Sequence, residues 1–307
     1  MLWRQAMDAA LYGPEGFFLR HRPADHFRTS VHASPLFAGA VATLLGRLDE
    51  ALDRPARLDL VDVGAGRGEL LIAVLAALPG DLRRRVRATG VERAPRPGEL
   101  PSPIGWTTTP PEGTAGLLIA TEWLDNVPVD IVELGTDFRI RYLQSDLTPA
   151  DDPIAPADRA WLERWWPLDG APPGARAEIG RPRDEAWAAA VATVERGLAL
   201  AVDYGHFAAG RPLFGTLAAF RDGRPVEPVP DGERDLTAHV ALDSLGAPVL
   251  PQREALRLLG VDGARPPLAL ASTDPAAYVR ALARASAAGE LTDPGGLGGH
   301  YWVMHWV

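Results

Sequence analysis

Leu58-Asp59-Leu60-Val61-Asp62-Val63-Gly64-Ala65-Gly66-Arg67-Gly68-Glu69-Leu70 is the stretch whose reading decides the fold. Its first six residues are apolar except for Asp59 and Asp62. That pattern reads as a strand buried on both faces, as in a parallel sheet. Gly64 to Gly68 reads as a turn, and Glu69 to Leu78 as a buried helix. Strand, glycine turn and helix in this order open a right-handed βαβ unit.

The turn also predicts a ligand. Glycines at 64, 66 and 68 let another molecule approach the backbone, and the start of the helix offers free N–H groups. The spacing is G-x-G-x-G, whereas a dinucleotide fingerprint needs G-x-G-x-x-G. Glu69 stands one place after the third glycine, where its charge opposes a pyrophosphate. Asp62, just ahead of the turn, fits a ligand with a positive end. S-adenosylmethionine (SAM), which carries an ammonium and a sulfonium, is such a ligand. Without a ligand the same residues are a plain strand-to-helix turn.

Further strands are expected at Val86–Val91, Thr114–Ala120, Asp130–Leu134 and Leu198–Asp203, with Phe138–Leu143 pairing with Asp130–Leu134 and a last strand in His300–Val307. The second strand ends in Gly90-Val91-Glu92-Arg93, where an acid can hold two ribose hydroxyls by charge-assisted hydrogen bonds. Helices are expected at Met1–Tyr12, stopped by Gly13-Pro14, and at Leu36–Leu52, capped by Ser34-Pro35. Others are expected at Asp184–Glu195, Leu236–Leu245 and Gln252–Leu259, and Arg83–Arg87 reads as a solvated helix end. The expected fold is α/β and Rossmann-like, a mostly parallel sheet with flanking helices. An N-terminal helical and lid region, 1–55, would precede a ligand-binding domain, 56–307, with insertions at about 146–183 and 207–270. Trp161, Trp165 and Trp166 share one helical face, which suits a core or a partner surface.

Composition narrows the function. A hydrophobic content of 47% over 307 residues suits a globular core. A net charge of −9 lacks the basic footprint of a nucleic-acid or anionic-membrane binder. The absence of cysteine excludes disulfides, thiolate metal sites and a cysteine nucleophile. No lysine occurs either, which excludes a Schiff base and a P-loop lysine. No apolar run reaches about 18 residues and no signal sequence is visible, so a cytoplasmic location is expected.

Several segments, in order, resemble one family. They are MDAALYGPEGFF (Met7–Phe18), FRTS (Phe27–Ser30) with SPLF (Ser34–Phe37), and TEWLDNVP (Thr121–Pro128). LAVDYGH (Leu200–His206), TLAAFR (Thr216–Arg221) and DLTAHV (Asp235–Val240) follow. With Asp62–Gly68 they resemble the MidA branch of class I SAM-dependent methyltransferases, related to a mitochondrial complex I assembly-factor arginine methyltransferase. The chain departs from that pattern in Asp62, usually Glu, in Thr121, usually Asn, and in the poorly matching Ala150–Arg183.

The resemblance implies methyl transfer from SAM to a protein arginine, leaving S-adenosylhomocysteine (SAH). Asp62, Gly64, Gly66, Gly68, Glu92 and Arg93 are the expected cofactor contacts, with Thr29 and Ser30 closing over the cofactor beside Phe17 and Phe18. Glu122 and Asp125 follow a strand end, where two carboxylates can grip a guanidinium. Asp203 or His206 can take a proton, Tyr204 can line the acceptor pocket, and His239 matches the pattern. Each of these also has an ordinary structural role open to it, as a helix cap, strand end or packing residue. No metal is expected. The partners expected are a protein or small-molecule methyl acceptor, neither nucleic acid nor membrane, with a homodimer left open. A small-molecule N- or O-methyltransferase and a non-catalytic SAM-binding assembly factor remain alternatives.

Overall fold

A computed structural model describes residues 1–20 and 30–307, so Phe27, Arg28 and Thr29 lie outside the described residues. In chain order the strands are β1 (Leu58–Val63), β2 (Val86–Val91), β3 (Gly105–Thr107), β4 (Thr114–Thr121), β5 (Asp130–Leu134), β6 (Ile140–Tyr142), β7 (Arg176–Ile179) and β8 (Val194–Asp203). They continue as β9 (Gly205–His206), β10 (Ala218–Arg221), β11 (Arg224–Val226), β12 (Asp235–Thr237), β13 (Val240–Ala241), β14 (Val249–Pro251) and β15 (Tyr301–Trp306). The chain divides into two units. One comprises Met1–Phe27, Glu122–Ala192 and Asp203–Ala247, and the other Arg28–Thr121, Thr193–Val202 and Pro248–Val307. We call them the acidic unit and the glycine-turn unit. Residues 1–55 are therefore shared between the two, as is the 207–270 region.

The glycine-turn unit is built on a seven-stranded sheet of order β14-β15-β8-β4-β1-β2-β3. Strands β3, β2, β1, β4 and β8 run parallel, and β14 is antiparallel to β15. Every residue of β1 is buried, as its near-continuous apolar run requires. The helix Pro35–Ala51 starts where Ser34 Oγ accepts the Leu36 N–H at 3.1 Å and proline takes the first helical position. Phe37, Leu45, Leu60, Leu71, Leu117, Leu200 and Trp302 belong to one apolar core. Arg85 is not simply solvated. It pairs with buried Asp49 at 2.5 and 2.7 Å, and this bond holds the Asp49 carboxyl below its ordinary range.

Three strands of this sheet approach unusually closely at one level. Asp59, Gly116 and Gly197 are in register on β1, β4 and β8. A Cβ on Gly116 would lie 2.2 Å from the Asp59 carbonyl oxygen, and one on Gly197 would lie 2.1 Å from that of Gly116. The register of β4 on β8 shifts beside this point, and the Asp59 carboxylate accepts the Ala115 N–H at 3.0 Å.

The acidic unit holds three small sheets: β6-β5-β7 and β11-β10-β12, both antiparallel, and the parallel pair β13-β9. Strands β5 and β6 pair as expected, but in a sheet of their own with β7, which comes from the poorly matching insertion. Trp161 and Trp166 are buried in the core of this unit beside Val132, Ala177 and Ile179. Phe17 is fully buried with Trp3, Met7 and Leu11, so it is a core residue rather than a lid. Leu236–Leu245 is not helical. Asp235–Thr237 pairs with β10, Val240–Ala241 pairs with β9, and only Leu242–Leu245 turns. The helices Leu268–Thr273 and Pro275–Thr292, in the glycine-turn unit, escaped the hydrophobic pattern because their buried residues are few. The Asp274 cap, accepting the Ala277 N–H at 2.9 Å ahead of Pro275, was the signal available. Among the described residues no helix is long and apolar enough to cross a membrane.

Gly197→Ala must push two backbones apart, and its φ of 127° already disfavours a side chain. The variant should lose about 3 kcal/mol in denaturant unfolding, whereas alanine at the open Gly39 should be neutral or stabilising.

Candidate active site

The glycine turn leaves β1 with φ of 74°, 56° and 86° at Gly64, Gly66 and Gly68. These left-handed values explain glycine at alternate positions. The Gly64 and Ala65 amides bond the Val91 carbonyl at 3.0 and 3.2 Å, which ties the turn to the end of β2. A Cβ on Gly68 would meet Leu100 Cδ1 at 2.5 Å, so the third glycine serves packing. At Gly66 a Cβ would meet only Glu69 Oε2, at 3.5 Å, so the space over that residue is open.

The turn already holds its own anions. Glu92 Oε2 accepts the Gly66 N–H at 3.1 Å, and Glu69 Oε2 accepts the Arg67 N–H at 2.9 Å. Two amides that a phosphate would use are thereby occupied by carboxylates. Behind them Asp62 is 2% exposed, and its Oδ1 is buried with no hydrogen-bond partner. Burial, and then the Glu69 and Glu92 charges, push the Asp62 carboxyl well above its ordinary range. A cationic ligand group relieves all three effects, which is the fit expected of SAM and not of a dinucleotide. Arg93 is exposed, and its backbone N–H meets Glu92 Oε1 at 2.7 Å. Ser30 is fully buried, with its hydroxyl accepting from Gln252 at 3.1 Å inside the unit's core, which leaves it no surface for a ligand. Thr29 lies outside the described residues.

The acidic unit gathers Glu122, Asp125, Asp203, Tyr204, Asp235 and Thr237. Glu122 follows β4 with φ of 49°, a left-handed conformation that costs a residue with a side chain roughly 1 kcal/mol. Asp203, 1% exposed, spends both oxygens on the backbone. Oδ2 accepts the N–H of Leu124 at 3.0 Å and of Asp125 at 3.3 Å, and Oδ1 accepts that of Tyr204 at 2.9 Å. It shapes the Leu124–Asn126 turn that carries Asp125. Burial and the neighbouring Asp125 push its carboxyl well above the usual range. Asp125 Oδ2 accepts the hydroxyls of Tyr204 and Thr237, and its buried Oδ1 has no partner. Asp235 accepts Asn126 Nδ2 at 3.2 Å.

Among the described residues one buried cation stands beside these acids, and sequence reasoning missed it. Arg183, 1% exposed, donates to the carbonyls of Asp125 at 2.5 Å, Val127 at 3.2 Å, Ala238 at 2.9 Å and His239 at 3.0 Å. It lies at the end of the segment that matched the family poorly, and nothing in the run Arg181-Pro182-Arg183 marks one arginine as internal.

His206 does not have the chemistry of a proton acceptor. Arg211 Nη1 approaches its Nδ1 at 2.6 Å, and arginine only donates, so the neutral ring carries its hydrogen on Nε2. Burial and the Arg211 charge lower its pKa to about 3. Trp166 packs edge-on against the ring at 4.7 Å, while the ring of exposed His239 lies 5.1 Å from Tyr204.

A family model described as "putative S-adenosyl-L-methionine-dependent methyltransferase" matches residues 40–255, most of the chain. The chain belongs to this family. It is a methyltransferase, and its cofactor is SAM. No curated protein matches the sequence. Two crystal structures of COG1565 superfamily proteins from Burkholderia thailandensis share the fold of this methyltransferase. One, described as a "likely methyl transferase" bound to SAH, is 22% identical with a TM-score of 0.76, and the match covers 100% of this chain and 88% of that one. The other, a native structure, is 23% identical with a TM-score of 0.76, covering 100% of this chain and 87% of that one.

Two outcomes are expected of the cofactor cradle. Gly66→Leu places its Cβ in open space at the cost of a left-handed φ of 56°, so it should lower SAH affinity by about 100-fold or more in calorimetry while unfolding loses only about 1–2 kcal/mol. Asp62 titrates higher in the folded than in the unfolded chain. The stability it contributes is therefore present below the unfolded value, about pH 4, and is lost as the pH rises through the raised value. Asp62→Asn should raise the melting temperature of the SAM-free methyltransferase at pH 8, with the gain vanishing toward pH 4, and should weaken SAH binding.

Proposed function

We propose that this methyltransferase acts on the guanidinium of an arginine in a protein partner, as its resemblance to MidA-type enzymes implies. The observation that carries the reading is the unpartnered, buried Oδ1 of Asp125, with the buried acids Asp203 and Asp235 as neighbours. Among the described residues, Asp125, Asp203 and Asp235 stand there beside one buried cation, Arg183, whose donors go to carbonyls. The Asp203 and Asp235 carboxyls are both raised by burial and by the charges of Asp125 and Glu122. A further cation relieves that strain, and a planar guanidinium can meet two carboxylates in a fork.

SAM supplies a methyl group on positively charged sulfur, which departs as a neutral thioether. Asp62 would face its ammonium, the open backbone at Gly66 would receive its body, and Glu92 would hold the ribose. Glu122 and Asp125 would grip the acceptor and localise its charge on one side, which leaves the reacting nitrogen a better nucleophile. Asp125 would take the proton that the nitrogen loses as it gains the methyl group. Asp203 would act through Asp125, by shaping its turn.

Peptides with a central Arg, Lys or Gln, and free agmatine as a small guanidine, should be incubated with enzyme and methyl-labelled SAM. Label is expected in the arginine peptides alone. Labelling of agmatine alone would support a small-molecule acceptor, and no labelling with intact SAH binding would support a non-catalytic role. Glu122→Gln should keep SAH affinity within about twofold and lower kcat by about 100-fold. Full activity in that variant would remove Glu122 from the acceptor grip.

A further inference from the structure

We propose that Tyr204 and Thr237 are positioning residues, which hold Asp125 so that Oδ1 alone is left to receive the acceptor's proton. The proposal rests on the reading of Asp125 as the acceptor-side acid. Every other polar group of Asp125 is already engaged. Its N–H donates to Asp203 Oδ2 at 3.3 Å, and its carbonyl accepts from Arg183 at 2.5 Å and from the Ala238 N–H at 3.3 Å. Its Oδ2 accepts from Thr237 Oγ1 at 2.7 Å and from the Tyr204 hydroxyl. Only Oδ1 is unpartnered, in a residue 4% exposed.

Two separate segments thus converge on one oxygen. Tyr204 follows β8, and Thr237 ends β12 and is 3% exposed. Each hydroxyl has a single hydrogen to give. The two hydroxyls also touch each other, so they bind Oδ2 as one network, which fixes the carboxylate plane and leaves the lone pairs of Oδ1 as the free base. The other acids lack such an oxygen or such a brace: Asp203 is spent on three amides, and Asp235 binds Asn126. Burial and the Asp125 and Asp203 charges hold the Tyr204 hydroxyl well above its ordinary range, so it stays protonated and donates. Among the described residues, Arg183 and the His239 ring also face it.

The test has two arms. In the first, wild type, Tyr204→Phe, Thr237→Val and Thr237→Ser are compared on an arginine peptide with labelled SAM. Phe and Val should each lower kcat by about tenfold with the KM for SAM unchanged, and Ser, which keeps the hydroxyl, should restore it. Unchanged kcat in both Phe and Val overturns the proposal, as does failure of Ser to rescue. The second arm needs no acceptor. Tyrosine 13Cζ resonances are followed against pH in the SAH complex, where Tyr204 should stay protonated far into alkali. Asp125→Asn should bring its titration down toward an ordinary tyrosine. A Tyr204 titration that ignores Asp125→Asn overturns the proposal. If wild type labels no arginine peptide, the arginine reading falls, and the second arm still decides whether this brace exists.

Discussion

The acidic unit depends on one buried guanidinium. Arg183 joins the carbonyls of Asp125 and Val127, on the turn after β4, to those of Ala238 and His239, on the loop after β12. It is also the buried positive charge facing Asp125, Asp203 and Glu178. Breaking a buried ion group by removing one partner typically costs about 3–5 kcal/mol, because the remaining charges are left uncompensated. The acids therefore persist as neighbours through Arg183, and the strained backbone of Glu122 and the fixed rotamer of Asp125 belong to the same arrangement.

The glycine-turn unit solves the opposite problem. A helix start after a strand is a natural anion site. Here Glu69 and Glu92 occupy the Arg67 and Gly66 amides, and Asp62 adds a buried carboxyl whose Oδ1 has no partner. The topology is that of a nucleotide-binding sheet, but the charge refuses phosphate and asks for a cation. Both units thus bury acids beyond what folding needs. A site that leaves acids uncompensated in the free protein gains that energy back when a cationic ligand arrives.

Much of this was legible along the chain. Strands β1 and β2 and the helix at Glu69 fell where the apolar runs and glycines put them, and β1, covered on both faces, is apolar save for Asp59 and Asp62. The convergence of Asp62, Gly66 and Glu92 was legible because β1 and β2 pair in parallel, which sets the end of β2 beside the glycine turn. Arg183 and Thr237 were not, since Asp125, which both bind, lies more than fifty residues away in sequence and their neighbours in the chain are ordinary. Reading Leu236–Leu245 as a helix failed because pairing with β9 and β10 outweighed local pattern. Reading His206 as a base failed because Arg211 and burial, not the imidazole's intrinsic value, set its state.

The sequence by itself determined the βαβ order, the glycine turn, the acid at the end of β2 and, through its motifs, the chemistry of methyl transfer. These are short-range features, written in residues that adjoin one another or repeat with a strand or helix period. Tertiary structure alone decided which acids remain available. Three aspartates look alike in sequence, yet Asp203 is spent on amides, Asp235 on Asn126, and Asp125 keeps one free oxygen. Hydrogen bonds between distant segments make that distinction, and a buried group's chemistry follows from its partners more than from its type.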